Sequence, residues 1–192
     1  MSKKYNILII FICFSLFRTA VCQDMPVPVD VQFNLLMKIL SFDRNLTARI
    51  ERQIVLGVLY QEKYRESLNT KNTIENLTKR YNEQPEIKNP ISFVPLEIRG
   101  DTNINEILSK QNLDVLYLCP LRAVDISQIS TECRNLKINS MTGVPEYLDH
   151  GISVSLDVKG QKPQIIINLN STKLEGSDYS SQLLKLVKII GG

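Results

Sequence analysis

Ile54-Val55-Leu56-Gly57-Val58-Leu59-Tyr60 is the stretch on which the fold turns. Every residue in it is apolar, aromatic or glycine, and Gln53 and Gln61 close it at either end. A strand with one wet face alternates apolar and polar residues. An unbroken run of this length therefore reads as a strand covered on both faces. Such strands belong to parallel sheets, where helical crossovers lie over each side.

The neighbouring segments supply those helices. Upstream, Asp30 stands as an N-cap for a helix over Val31 to Phe42, with Val31, Leu35, Leu36, Ile39 and Leu40 on one face. Downstream, Lys63 to Gln84 carries a thin apolar stripe of Leu68, Ile74, Leu77 and Tyr81, which predicts a surface helix loosened around Thr70 to Asn72. After a loop over Pro85 to Pro90, Ile91 to Ile98 reads as a second strand. Pro95 sends it to a sheet edge, since proline cannot donate to the ladder. A short helix over Asn105 to Gln111, a strand over Asp114 to Cys119, a helix over Asp125 to Leu136 and a strand over Lys137 to Met141 continue the alternation. Thr142 to Pro145 is a turn and Glu146 to Asp149 a single helical turn.

The pattern then changes. Ile152 to Leu156 alternates apolar and polar, Gly160 to Pro163 turns the chain, and Gln164 to Leu169 returns it as a hairpin. Asn170 or Ser171 caps a short helix ending at Gly176. Ser177 or Asp178 caps a last one, with Leu183, Leu184, Val187 and Ile190 on its apolar face. The expectation is a three-layer α/β fold: a mostly parallel sheet with helices on both faces, right-handed crossovers, and a C-terminal antiparallel hairpin at one edge.

The first residues set the compartment. Lys3 and Lys4, an apolar run from Ile7 to Phe17, and small residues Ala20 and Cys22 form the grammar of a secretory signal over residues 1–22. This run of eleven residues, interrupted only by Ser15, falls short of the roughly twenty that a spanning helix needs. Cleavage after Cys22 leaves residues 23–192 as one domain without a transmembrane segment. Lipidation at Cys22 is the alternative. The formal charge of +3 then falls to zero, because Lys3, Lys4 and Arg18 leave with the signal and no acid accompanies them. A chain without net charge has no electrostatic footprint for nucleic acid.

Two cysteines of the exported part, Cys119 and Cys133, form an even pair in an oxidising compartment, so a disulfide is expected between them. A bridge closing a loop of about fifteen residues stabilises by roughly 3 kcal/mol in the chain-entropy model. Two thiols and the single histidine make no tetrahedral metal set, so neither metal nor cofactor is expected. His150, between Asp149 and Gly151, reads as a turn residue on the surface. No nucleophile elbow, phosphate loop or zinc-protease motif occurs, and the chain is expected not to be an enzyme.

A pocket in such a fold belongs at the C-terminal ends of the parallel strands, where strand order switches. Tyr60, Arg122 and Thr142 stand there. Tyr60 is suited to stacking and Arg122 to holding an anion.

Ile165-Ile166-Ile167-Asn168-Leu169, Lys173-Leu174-Glu175-Gly176 and Tyr179-Ser180-Ser181-Gln182-Leu183-Leu184 together resemble the closing signature of the YfiR/HmsC-like family of exported proteins. Thr142 to Gly151 and the earlier strands resemble its other parts. Ser41-Phe42-Asp43 stands where members often close the first helix with Trp-Pro, and His150 replaces the glycine before Gly151. The resemblance implies a periplasmic regulator that binds a membrane diguanylate cyclase or sensor kinase through its periplasmic part. It leaves a homodimer open and gives Asn168, Gly176, Ser180, Ser181 and Gln182 structural roles. The alternative is a periplasmic small-ligand carrier with a cleft near Tyr60 and Arg122, which would be stabilised by its ligand.

Overall fold

The computed structural model describes residues 24–49, 53–84, 89–100 and 102–192. The signal expected over residues 1–22, with Cys22, lies outside them. Helices α1 (Val29–Leu40) and α2 (Arg44–Arg49) precede β1 (Ile54–Tyr60). There follow α3 (Arg65–Asn82), β2 (Ile91–Glu97), α4 (Ile104–Ser109), β3 (Val115–Leu118), α5 (Ile126–Leu136) and β4 (Asn139–Thr142). A 3₁₀ helix (Pro145–His150), β5 (Val154–Lys159), β6 (Lys162–Asn168), α6 (Leu169–Leu174), α7 (Ser181–Leu184) and β7 (Lys188–Ile190) complete the chain.

Among the described residues seven strands form one sheet in the order β2-β1-β3-β4-β5-β6-β7. Strands β1 to β5 are mutually parallel, and β5–β6 is the antiparallel pair. Pro95 does sit on the edge strand β2, opposite Val58 of β1. Side chains alternate across the sheet and divide the core in two. Ile54, Leu56 and Val58 pack with α1 and α3 on one face, through Phe33, Leu36, Ile39 and Ile74. Leu59, Leu116 and Leu118 pack on the other face with Ile104 and Leu108 of α4 and Ile129 and Cys133 of α5. Gly57 is needed at the centre of β1, because a Cβ there would come within 2.8 Å of Leu113 Cδ1.

Four expectations change. Helix α3 is unbroken, because Thr70 is buried in its packed face and holds the segment that looked loose. The caps shift. Asn168, not Asn170 or Ser171, accepts from Ser171 N at α6; Ser180, not Ser177 or Asp178, accepts from Leu183 N at α7; and Pro28, not Asp30, stands at the N-cap of α1. The last helix stops at Leu184, and Lys188–Ile190 becomes a strand parallel to β6. The β5–β6 hairpin is the expected antiparallel pair on the C-terminal side of the sheet, and β7, parallel to β6, adds one strand beyond it as the edge.

The fourth change concerns the cysteines. Cys119 and Cys133 are free, and both are fully buried. Cys119 continues the β3 parity of Val115 and Tyr117 into the α1 face, whereas Cys133 lies on α5 in the opposite layer. The sheet stands between them, so the expected bridge does not form. Burial raises both thiol pKa values and keeps them protonated.

Candidate functional site

Strand order places the switch at β1. The chain leaves β1 toward β2 on one side, and β3 returns on the other. The loops after β1, β2 and β3 diverge there and leave a cleft of about 360 Å³. Gln61 to Tyr64, Glu97 to Gly100 and Arg122 line it.

Gln61 holds the cleft together. Its side-chain oxygen accepts from Arg122 N at 2.7 Å, and its amide nitrogen donates to Arg122 O at 3.0 Å. Its own backbone N–H donates to Ser67 Oγ at 3.0 Å, tying the loop to α3. The Arg122 guanidinium lies over the Tyr64 ring, 4.0 Å from its centroid. The Tyr64 phenol donates to Glu66 Oε2 at 2.5 Å. Burial, then that bond to Glu66, raises the Tyr64 pKa, and Arg122 opposes the rise. Across the cleft Arg99 grips Glu97 with two bonds, at 2.8 and 2.9 Å, and holds that carboxyl below its ordinary pKa.

Of the three residues read from the sequence, only Arg122 lines this cleft. Tyr60 is half-buried beneath Lys71, whose Nζ is 5.3 Å from its ring centroid, and packs against the α1-side core. Thr142 is buried outside the cleft, with its hydroxyl donating to Leu118 O at 3.0 Å and accepting from Val144 N at 3.1 Å. A buried threonine hydroxyl satisfies strand-end backbone groups first, so it is not a surface residue.

At the opposite end of the sheet lies a sealed polar network. Glu175, wholly buried, accepts from Ser140 N at 2.9 Å, from Ser140 Oγ at 2.5 Å and from Ser153 Oγ. Burial pushes its pKa up to about 7, against the pull of the two serines and Arg134. Asp43, also buried, accepts from Asn45 N and Leu46 N and so caps α2. It also accepts from Asp178 N at 3.0 Å and from Asn139 Nδ2 at 2.9 Å, which ties the C-terminal segment to β4. Ser177 Oγ completes the chain onto Asn139 Oδ1 at 2.6 Å.

The signature residues sit around this network. Asn168 and Ser180 cap helices, and Gly176 takes φ +87° to turn the chain out of α6. Ser181 and Gln182 are exposed on α7. His150 is exposed at the end of the 3₁₀ helix, 3.3 Å from Ser127 Oγ through Nδ1. Sequence reasoning missed Gln61, Tyr64, Glu175 and Asp43 as the residues that build these two sites.

A family model described as YfiR/HmsC-like matches residues 30–188. Several solved structures share the fold. A conserved domain protein from Vibrio cholerae has a TM-score of 0.62 at 13% identity, with 84% of this chain and 60% of that one covered. An ABC domain in complex with L-Trp from Streptococcus pneumoniae has a TM-score of 0.61 at 9% identity, covering 85% and 62%. A substrate-binding protein with adhesive properties from Clostridium difficile, in its ligand-free open form, has a TM-score of 0.56 at 15% identity, covering 85% and 60%. The chain thus spans about three-fifths of the length of these structures, and the likeness is one of fold. No curated protein matches the sequence. Among the described residues no helix is long and apolar enough to cross a membrane.

Proposed function

The chain belongs to the YfiR/HmsC-like family, and from that membership we propose a periplasmic, non-enzymatic regulator. It binds and modulates an inner-membrane signalling protein, a diguanylate cyclase or a sensor kinase. The observation that carries this reading is the family match over residues 30–188, nearly all of the exported part.

The molecule offers a surface suited to docking. Leu186 is 80% and Ile189 42% exposed, both at the open edge carried by β7. An uncovered strand edge with apolar side chains is a ready template for a partner. The chemistry supports binding over turnover. The buried thiols are held protonated, Glu175 is sealed from solvent, and the single histidine has a serine beside it on an exposed turn.

The test is in-cell photocrosslinking from position 186 or 189, followed by mass spectrometry of the membrane fraction. One inner-membrane cyclase or kinase with a periplasmic domain is the expected capture. An exported, well-expressed chain that captures no membrane protein from either position refutes the reading.

A further inference from the structure

We infer that the cleft at the ends of β1, β2 and β3 is a binding site for a small organic monocarboxylate, with Arg122 as the residue that holds its carboxyl group. The main chain of Arg122 is fixed at both its N–H and its C=O by the one side chain of Gln61. The guanidinium is fixed over the Tyr64 ring, and the Tyr64 phenol is anchored in turn on Glu66. Such doubly supported positioning is what a recognition residue needs and what a loose surface arginine lacks. Among the described residues Arg122 forms no ion pair, whereas Arg99 across the cleft is occupied by Glu97.

The ligand class follows from the surroundings. A guanidinium presents a planar fork of donors that matches a carboxylate in two parallel bonds. The volume of about 360 Å³ admits a small molecule and little more. Ile98, buried in the cleft lining, and the Tyr64 ring give an apolar body something to lie against. Lys63 adds a positive charge to the rim. Glu62 and Glu97 set the limit on charge: Glu97 is neutralised by Arg99, but Glu62 opposes a second negative charge on the ligand. A monoanion is therefore favoured over phosphate or a dicarboxylate.

This site stands apart from the regulator role, because binding is read on the purified exported chain with no partner present. The probes are benzoate, succinate and inorganic phosphate, each titrated while amide resonances are followed by NMR. Benzoate is expected to saturate below about 20 mM, with shifts confined to residues 61–64, 97–100 and 122, and to bind at least about tenfold more tightly than the other two. Arg122→Gln should weaken benzoate binding by about tenfold or more while leaving unfolding unchanged, and Arg122→Lys should fall between, keeping charge without the fork. Three outcomes overturn the inference: no saturation by benzoate, unaltered binding in Arg122→Gln, or phosphate binding the cleft in preference.

Discussion

Raising the pH through neutrality should weaken the fold through Glu175. The carboxyl is sealed between β4, the start of β5 and α6, with Ser140 and Ser153 as its donors. Arg134 on α5 faces it and lowers its pKa, while Cys133 and Tyr179 lie close enough that a charged Glu175 disfavours their ionisation. Burial outweighs the donors and moves the pKa from 4.5 to about 7. A raised native pKa means that the native state holds its proton where the unfolded chain has released it. The stabilisation is therefore complete below about pH 4.5, declines as pH rises, and is gone above about pH 7. At about 1.4 kcal/mol per pKa unit, the loss is on the order of 3 kcal/mol. With a urea slope near 2 kcal/mol per M, that is a midpoint change of about 1.5 M.

Glu175→Gln isolates this effect from every other titration. Its amide oxygen keeps the two bonds made to Oε2, its NH₂ can donate to Ser140 Oγ, and it has no proton to lose. Urea unfolding followed by circular dichroism, at several pH values between 4.5 and 8.5, gives the difference between the two chains. The difference should move in favour of the glutamine variant by about 3 kcal/mol over that range. A constant difference, or one that moves in favour of glutamate as pH rises, would refute the assignment of Glu175 as a buried group held protonated.

Two further outcomes follow from close packing. A Cβ on Gly143 would lie 2.1 Å from Gln32 Oε1, and Gln32 is wholly buried between Val27 O and the Tyr117 hydroxyl. Gly143→Ala should cost about 2–4 kcal/mol by breaking those bonds, and the Gln32→Ala, Gly143→Ala double variant should cost no more than Gln32→Ala alone, measured by urea unfolding. The exported chain, unfolded without reductant and alkylated, should show both Cys119 and Cys133 modified on peptide mapping, whereas the native chain shows neither. Two unmodified cysteines after unfolding would reinstate the bridge.

Much of the fold was legible because the central strands advertise their burial. The Ile54–Tyr60 run predicted a doubly covered strand, Pro95 predicted an edge, and the change to alternation after Gly151 predicted the antiparallel pair. The C-terminus was not legible. Leu183, Leu184, Val187 and Ile190 satisfy a helical spacing, yet the open edge of β6 offers Lys188–Ile190 a ladder that outweighs local periodicity. The disulfide failed for a related reason. Spacing along the chain says nothing about which layer a helix joins, and Cys119 and Cys133 are on opposite faces. A cleft does lie where strand order switches, and of Tyr60, Arg122 and Thr142 it is Arg122 that lines it. Gln61 escaped as its organiser, because a glutamine after a strand carries no pattern that announces two bonds to a distant backbone. Glu175 stands in the closing signature with no mark of burial, and only the fold buries it.

The two ends of the parallel strands do different work, and this bears on what family membership can tell. The closing signature gathers at the N-terminal ends of β4 and β5. There Asn168, Gly176 and Ser180 shape a segment whose neighbours Glu175, Ser177 and Asp178 plug the sheet and bind Asp43 and Asn139. Glu175, Asp43, Asn139 and Ser177 in that plug are bonded to one another or to their neighbours in the chain, so these residues specify architecture. The C-terminal ends of β1 to β3 are built the other way: an open cleft, an arginine that forms no ion pair among the described residues, and a glutamine that holds it in place. Resemblance in the plug therefore argues for the shared fold. What distinguishes this member should be sought among Gln61, Tyr64 and Arg122, where a substitution alters recognition without touching the sealed end.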